Sequence, residues 1–180
     1  MKALFVFSLI LLAAALVLSV FWLTQPFPTS ISAFMTICAV LGILAVLAGF
    51  IYVLGGYKKN DVLFYKLFMF LVCLESAATL VKDIIITQEM GSTSSISGIL
   101  RTIICVNLVI LVFAKDLGKQ TSIGLASAVL GVTIINHVRL LILYFSFSYV
   151  ISTVVHLALA LLVLLLVIGK YMDKAERGTK

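Results

Sequence analysis

Residues 149–169 read YVISTVVHLALALLVLLLVIG and contain no aspartate, glutamate, lysine or arginine. A helix needs roughly 20 largely apolar residues to cross a hydrocarbon core of about 30 Å, and this stretch is long enough to do so. The rest of the chain is similar, because 63% of its residues are hydrophobic and only 11% are charged. A water-soluble domain of 180 residues could not bury that much apolar surface. The sequence therefore predicts an integral membrane protein.

Five further apolar stretches precede this one, and short polar connections separate them. The six expected spans cover residues 3–24, 31–54, 62–86, 96–114, 122–144 and 149–171. Backbone amides in lipid must bond within their own segment, and these continuous runs lack the alternation of membrane β-barrel strands. We predict an all-α integral membrane protein: a single-domain, polytopic bundle of six transmembrane helices. The first run is too long for a secretory signal and is interpreted as a span.

The basic residues predict the orientation of the bundle. The chain has 13 lysines and arginines against 7 acidic residues, a net charge of +6. With the N-terminus in the cytoplasm, most basic residues fall on the inner side: Lys2, Lys58, Lys59, Lys66, Lys115, Lys119, Lys170, Lys174, Arg177 and Lys180. Only Lys82, Arg101 and Arg139 fall in the outer half. Because cytoplasmic loops carry the excess of basic residues, we predict a plasma (inner) membrane protein with both termini cytoplasmic (N-in/C-in).

The same placement of charges indicates contact with membrane lipid rather than with nucleic acid. Each basic residue near an anionic lipid surface is attracted to it by about 1 kcal/mol. The net positive charge is thereby explained without a nucleic-acid partner.

Two histidines at matched depth are the most specific signal in the sequence. His137 lies about 10 Å below the outer end of the fifth span, and His156 lies about 10 Å below the outer start of the sixth. The two spans are consecutive and antiparallel, so the two imidazoles are expected in one region. Ser152 shares the helix face of His156, since the two residues are four apart.

Other polar side chains at membrane depth extend this region to neighbouring helices. A charge inside a membrane costs roughly 2.5 to 3.5 kcal/mol on insertion scales, so such residues often have a function. The predicted ligand-binding residues are Glu75, Lys82, Arg101, Asn107, Asn136, His137, Arg139, Ser152 and His156. We predict that they line an outward-facing polar cavity between helices three and six, with Glu75 and Asn107 near its floor.

Each of these side chains has an expected role in that cavity. The histidines supply hydrogen bonds, Arg139 holds a negative group and Glu75 closes the floor, paired with Lys82 or an arginine. A structural explanation stays open for all of them. The basic side chains can extend to the membrane surface, the amides can join helices, and the histidines can bond to backbone or hydroxyl groups.

Small residues predict close helix contacts at two places. On the fifth span, Gly124 and Ala128 are four residues apart, and Gly131 continues the pattern. On the first span, Ala13, Ala14 and Ala15 are consecutive. Small side chains let membrane helices approach closely, so these faces are expected in the bundle centre or against partner membrane subunits.

A cavity of this kind suits a small polar or anionic solute, which indicates a binding or transport component. In architecture the chain resembles the substrate-binding S-components of energy-coupling-factor uptake transporters, which are small six-helix proteins with both termini inside. The alanine-based motif common on their first helix is degenerate here, as the run Ala13 to Ala15. The resemblance implies a solute-binding protein that works with separate energising subunits.

Three other functions were compared with this one. A sensory or scaffolding protein would act through partner helices at the small-residue faces. A haem or metal protein would use His137 and His156 as ligands, although adjacent helices 8–10 Å apart leave little room for a haem. No cofactor is otherwise expected, and the absence of catalytic motifs such as HExxH makes an enzyme the less favoured alternative.

The three cysteines give no sign of a metal or redox site. Cys38, Cys73 and Cys105 lie on three different spans without CxxC spacing. They are expected to pack as small apolar residues.

Overall fold

The computed structural model describes residues 2–24, 32–55, 62–87, 93–113, 119–143 and 147–178, and each of these segments forms one α-helix. The helices are α1 (Lys2–Leu23), α2 (Ser32–Leu54), α3 (Val62–Thr87), α4 (Thr93–Phe113), α5 (Lys119–Leu143) and α6 (Phe147–Gly178). The described residues contain no β-strand, so the all-α prediction is confirmed for them.

The helices extend beyond several of the predicted spans. The α4 helix begins at Thr93 rather than at residue 96, and α6 continues to Gly178 rather than ending at residue 171. Threonine and serine are common at helix starts, and residues 93–95 are of these two types. A helix also need not end where its apolar residues end, so hydropathy places the span better than the helix boundary.

Five of the helices are long and apolar enough to cross a membrane. Their apolar stretches are Ala3–Phe21, Ala33–Leu54, Leu63–Val81, Lys119–Arg139 and Val150–Met172. The α4 helix has a shorter apolar stretch, Ile96–Ile110. The length and composition of the helices are thus those of a multi-pass membrane protein.

The six helices pack as a closed ring. Each helix contacts the next one along the chain, and α6 returns to contact α1. The α6 helix also reaches α2 and α3 across the ring, and 67% of its apolar stretch is buried. The corresponding value for α5 is 28%, so α6, and not the glycine-containing α5, is the central helix.

Side-chain contacts define the two ends of this ring. Four side chains meet toward one end: Glu75 from the middle of α3, Arg101 from the first half of α4, His137 from the last third of α5 and His156 from the first third of α6. We call this the histidine end. Because consecutive helices meet there with opposite chain directions, α3 to α6 are antiparallel to their neighbours along the chain.

The opposite end of the ring is aromatic, and we call it the tyrosine end. The rings of Tyr52 and Tyr65 lie 5.2 Å apart, and both side chains are buried. The Lys170 ammonium lies 4.7 Å above the Tyr65 ring, while the Tyr171 hydroxyl is 3.0 Å from the Ser122 hydroxyl. These contacts join α2, α3, α5 and α6 at this end.

The small-residue faces have different surroundings in the ring. Ala15 is buried in the core, whereas Ala13 and Ala14 are exposed. Gly124 and Gly131 have nothing within 4 Å of the position that a Cβ atom would occupy. Of the two expected positions for this face of α5, the bundle centre does not fit the open space beside its glycines, and contact with a partner subunit stays a prediction.

Gly49 provides a test of the packing among α1, α2 and α3. A Cβ atom at this position would lie 3.0 Å from Leu12 Cδ2 and 3.3 Å from Phe68 Cδ2. We expect Gly49→Val to destabilise the protein by about 1 to 3 kcal/mol, because overpacking displaces both neighbours. Thermal unfolding of the detergent-purified protein measures this, with Gly124→Val as the control in open space. Equal stability of the two variants would contradict the packing described here.

Candidate functional site

A buried ion pair between α3 and α4 is the centre of the candidate site. The Nη2 atom of Arg101 donates to Oε2 of Glu75 over 2.9 Å. Glu75 is 1% exposed and Arg101 is 5% exposed, so water does not screen the pair. By helix rise, Glu75 lies about 18 Å from the end of α3, and Arg101 lies about 12 Å from the start of α4. The pair is therefore deep within the apolar part of the bundle.

His156 on α6 contacts the second oxygen of the same carboxyl group. Its Nε2 atom lies 3.0 Å from Oε1 of Glu75, which is ion-pair distance. Its Nδ1 atom lies 2.6 Å from the backbone oxygen of Ser152 and 3.4 Å from the Ser152 hydroxyl. Both ring nitrogens thus face oxygen atoms.

His137 on α5 lies against the ring of His156. The two ring centroids are 4.7 Å apart and the planes are tilted by 31°. The Nδ1 atom of His137 lies 3.0 Å from the backbone oxygen of Thr133, four residues earlier in the helix. The predicted meeting of the two histidines is therefore present, and their contact is through the ring faces.

Thr79 and Cys38 extend the cluster to α2. The Thr79 hydroxyl donates to Oε1 of Glu75 over 3.0 Å. The Cys38 sulfur lies 3.6 Å from the same hydroxyl, and since the hydroxyl hydrogen is used by Glu75, the thiol is the donor in this contact. Thr79 was not among the predicted binding residues, although its position four residues after Glu75 is the sequence signal that identifies it.

We call Glu75, Arg101, His137 and His156 the ionic cluster. The Nε atom of Arg101 is buried and makes no hydrogen bond to any residue that the structure describes. The buried Nε2 atom of His156 contacts Glu75 at ion-pair distance but without the direction of a hydrogen bond. A buried donor without an acceptor costs about 1 to 3 kcal/mol, or more when charged. The site thus contains one buried, charged donor that no described residue of the chain satisfies.

Smaller polar contacts hold α4 beside α3 and α5. The Ser97 hydroxyl donates to Oδ1 of Asn136 over 2.8 Å, and the hydroxyls of Ser76 and Thr102 are 3.4 Å apart. Asn136 therefore joins α4 and α5, which agrees with the alternative that the amide side chains hold helices together.

Two predicted site residues point away from the ionic cluster. Asn107 is exposed, and its Nδ2 atom donates to the backbone oxygen of Ile103 in its own helix. Arg139 lines a shallow apolar groove on α5 together with Ile135 and Val138. Residues two apart on a helix are separated by about 200° around its axis, so Arg139 cannot share the face of His137. Both residues were expected to line the cavity, and the structure places neither side chain in the ionic cluster.

The remaining predicted residues are Lys82 and Ser152. The side chain of Lys82 lies outside the described part of the structure, and its predicted pairing with Glu75 stays a prediction. The partner of Glu75 is Arg101, which was the alternative expectation. Ser152 is half-buried next to His156, as predicted.

The histidine contact does not fit a haem or a metal ion. Axial ligation requires a nitrogen of each ring to point at an iron between them, whereas these rings lie face to face at 4.7 Å. Among the residues for which side chains are described, no group of three or more histidine, cysteine or acidic side chains is placed to hold a metal.

Comparisons with known proteins give no relatives: no family model, no curated protein and no solved structure matches this chain. Any functional argument must therefore start from the ionic cluster itself.

The ion pair gives a prediction on stability. Removing one partner of a buried pair leaves an uncompensated charge, so we expect Arg101→Met to destabilise the protein by about 3 to 5 kcal/mol. The double variant Glu75→Gln/Arg101→Met should recover a large part of this loss, because no buried charge remains unpaired. Unfolding in detergent measures both.

The matched control is Arg139→Met, which removes an arginine from the outer groove of α5. It should change stability by less than about 0.5 kcal/mol. If the Arg101 and Glu75 substitutions were simply additive, the pair would not be energetically coupled.

Proposed function

We propose that this protein binds a small polar or anionic solute within the membrane, as a transport component, and that the ionic cluster is its binding site. The observation that carries the proposal is the buried Arg101–Glu75–His156 arrangement at membrane depth. Ionisable residues inside membrane bundles are expensive and commonly mark solute or proton pathways.

Stability alone is a weak reason for such a cluster. Apolar residues of similar volume often replace a buried ion pair at no cost or with a gain in stability. The chain has abundant leucine, isoleucine and valine elsewhere, so a purely packed core is chemically accessible to it. A role in binding explains why charged groups stand at this position instead.

The free donor of Arg101 supports an anionic or strongly hydrogen-bonding solute. A guanidinium presents a planar set of donors that suits carboxylate and phosphate groups. Glu75 occupies one side of this fork, and Nε remains for the solute. Arg101 therefore takes the role that was first expected of Arg139.

The position of the cluster supports an outward-facing site. In the proposed orientation, both termini are cytoplasmic, α4 crosses the membrane like the other five helices, and the histidine end lies toward the outer side. The pairing with Glu75 makes Arg101 compatible with a membrane-spanning α4, because the pair carries no net charge. The tyrosine end, closed by Lys170 and Tyr65, would then face the cytoplasm.

A second candidate is a scaffolding or sensory protein that acts through partner helices. The observation in its favour is the open space beside Gly124 and Gly131 on α5. Partner subunits at this face are compatible with the first proposal as well, since a component that resembles S-components in architecture requires energising subunits.

Solute binding is tested by native mass spectrometry of the detergent-purified protein, followed by identification of any released small molecule. Arg101→Lys keeps a positive charge beside Glu75 but removes the Nε donor. Loss of one charge-assisted hydrogen bond of about 1.5 to 3 kcal/mol should weaken binding roughly 10- to 100-fold. Lys119→Gln, which removes an exposed charge, should leave binding unchanged. A wild-type protein without any bound solute would favour the scaffolding role.

The orientation has its own test. In a variant without native cysteines, Thr24→Cys and Lys119→Cys place single thiols at two exposed helix ends. We expect an impermeant maleimide added to intact cells to label position 24 and to reach position 119 only after permeabilisation. Labelling of both positions from the same side would contradict six spans with cytoplasmic termini.

A further inference from the structure

The oxygen atoms around His156 restrict where its protons can be. The backbone oxygen of Ser152, 2.6 Å from Nδ1, can only accept a hydrogen bond, so this contact favours a hydrogen on Nδ1. The Nε2 atom lies 3.0 Å from a carboxyl oxygen. This second contact is at ion-pair distance without the direction of a hydrogen bond, and a proton on either atom makes it attractive.

Satisfying both contacts requires one proton more than a neutral imidazole and a carboxylate hold. That proton is either on Nε2, which makes His156 an imidazolium, or on Oε1 of Glu75. The short Nδ1 contact fits the first form, since a charged N–H donor makes hydrogen bonds of about 2.7 to 2.9 Å.

The site can also exist without this proton. The Ser152 hydroxyl, 3.4 Å from Nδ1, can turn its hydrogen toward that nitrogen, and the single ring hydrogen can then occupy Nε2 beside Glu75. The bare Nδ1 then faces the Ser152 backbone oxygen 2.6 Å away, so this form requires the ring to turn away from that oxygen. The surroundings of His156 thus offer a hydrogen-bond partner for each of two protonation states.

We infer that His156 and Glu75 form a site for one exchangeable proton, and that this proton is taken up together with an anionic solute. This inference rests on the proposed function. With the proton bound, Arg101 and His156 carry two positive charges against one on Glu75, so the cluster has a net charge of +1. A bound monoanion brings the sum to zero, and each ligand thereby favours binding of the other.

The other titratable groups around His156 are a second imidazole and two thiols. His156 packs against His137 of α5 and contacts Glu75 of α3. Glu75 in turn pairs with Arg101 of α4. Cys38 of α2 and Cys105 of α4 are buried thiols nearby. Between Ala3 and Thr24, α1 contains no titratable side chain.

The proton can be observed without knowing the solute. Nitrogen-15 NMR of histidine-labelled protein in lipid nanodiscs distinguishes imidazolium from each neutral tautomer, and the His137→Gln variant assigns the signals of His156. We expect His156 in wild type to change between the doubly protonated and the neutral form as the pH rises. Glu75→Gln should abolish the doubly protonated form at neutral pH.

Ser152→Ala is a mild variant that tests the same site without disturbing the ion pair. It removes the hydroxyl donor on which the neutral form depends, so the doubly protonated fraction at one fixed pH should rise. An imidazole that stays in one form at acidic, neutral and alkaline pH, or that is indifferent to Ser152→Ala, would overturn the inference.

Coupling to an anion is measured with a pH-indicator dye in weakly buffered protein solution. Phosphate, sulfate, citrate and glutamate are added in turn, and the expected result for a bound anion is uptake of one proton per protein. Solute binding without proton uptake would remove the inference and leave the proposed function. If the protein has an exchangeable proton but binds no solute, the proposed function and the coupling are both contradicted. The proton site at His156 and Glu75 is then still supported.

Discussion

The structure depends on one neutral pair of charges in an apolar interior. Glu75 and Arg101 each carry a cost that no other part of the bundle could offset, and together they offset one another. The pair fixes the rotation of α3 and α4 about their axes, because only one face of each helix can present these residues to the other. The contact of His156 with the same carboxyl group then fixes the central helix, α6, against both.

The two ends of the ring are connected through the same helices. The α3 helix carries Tyr65 near its start and Glu75 at its middle, while α6 carries Lys170 in its last third and His156 in its first third. A helix behaves as a rigid rod over such distances. A change of tilt between α3 and α6 would therefore alter the ionic cluster and the aromatic contacts together, which is the arrangement that opening at alternate ends of a bundle requires.

Hydropathy predicted the helices well, because a run of apolar residues fixes the position of each helix along the chain. The matched depth of His137 and His156 correctly indicated their contact. The side of the helix on which a residue lies was harder to predict. Each residue adds about 100° of rotation around the helix axis, and the sequence does not show which face meets a neighbouring helix. Asn107 and Arg139 were misplaced for this reason.

The contact between Glu75 and Arg101 also bears on the order in which the chain enters the membrane. Synthesis begins at the N-terminus, so α3 is made before α4, and its carboxyl group has no basic partner until Arg101 follows. An unpaired acid in lipid is costly, which favours insertion of these two helices together as a hairpin. His156 arrives last, on the helix that closes the ring against α1. A nascent chain interrupted before α6 would thus keep a distinctive defect, a polar centre exposed to lipid, by which membrane quality control could recognise it.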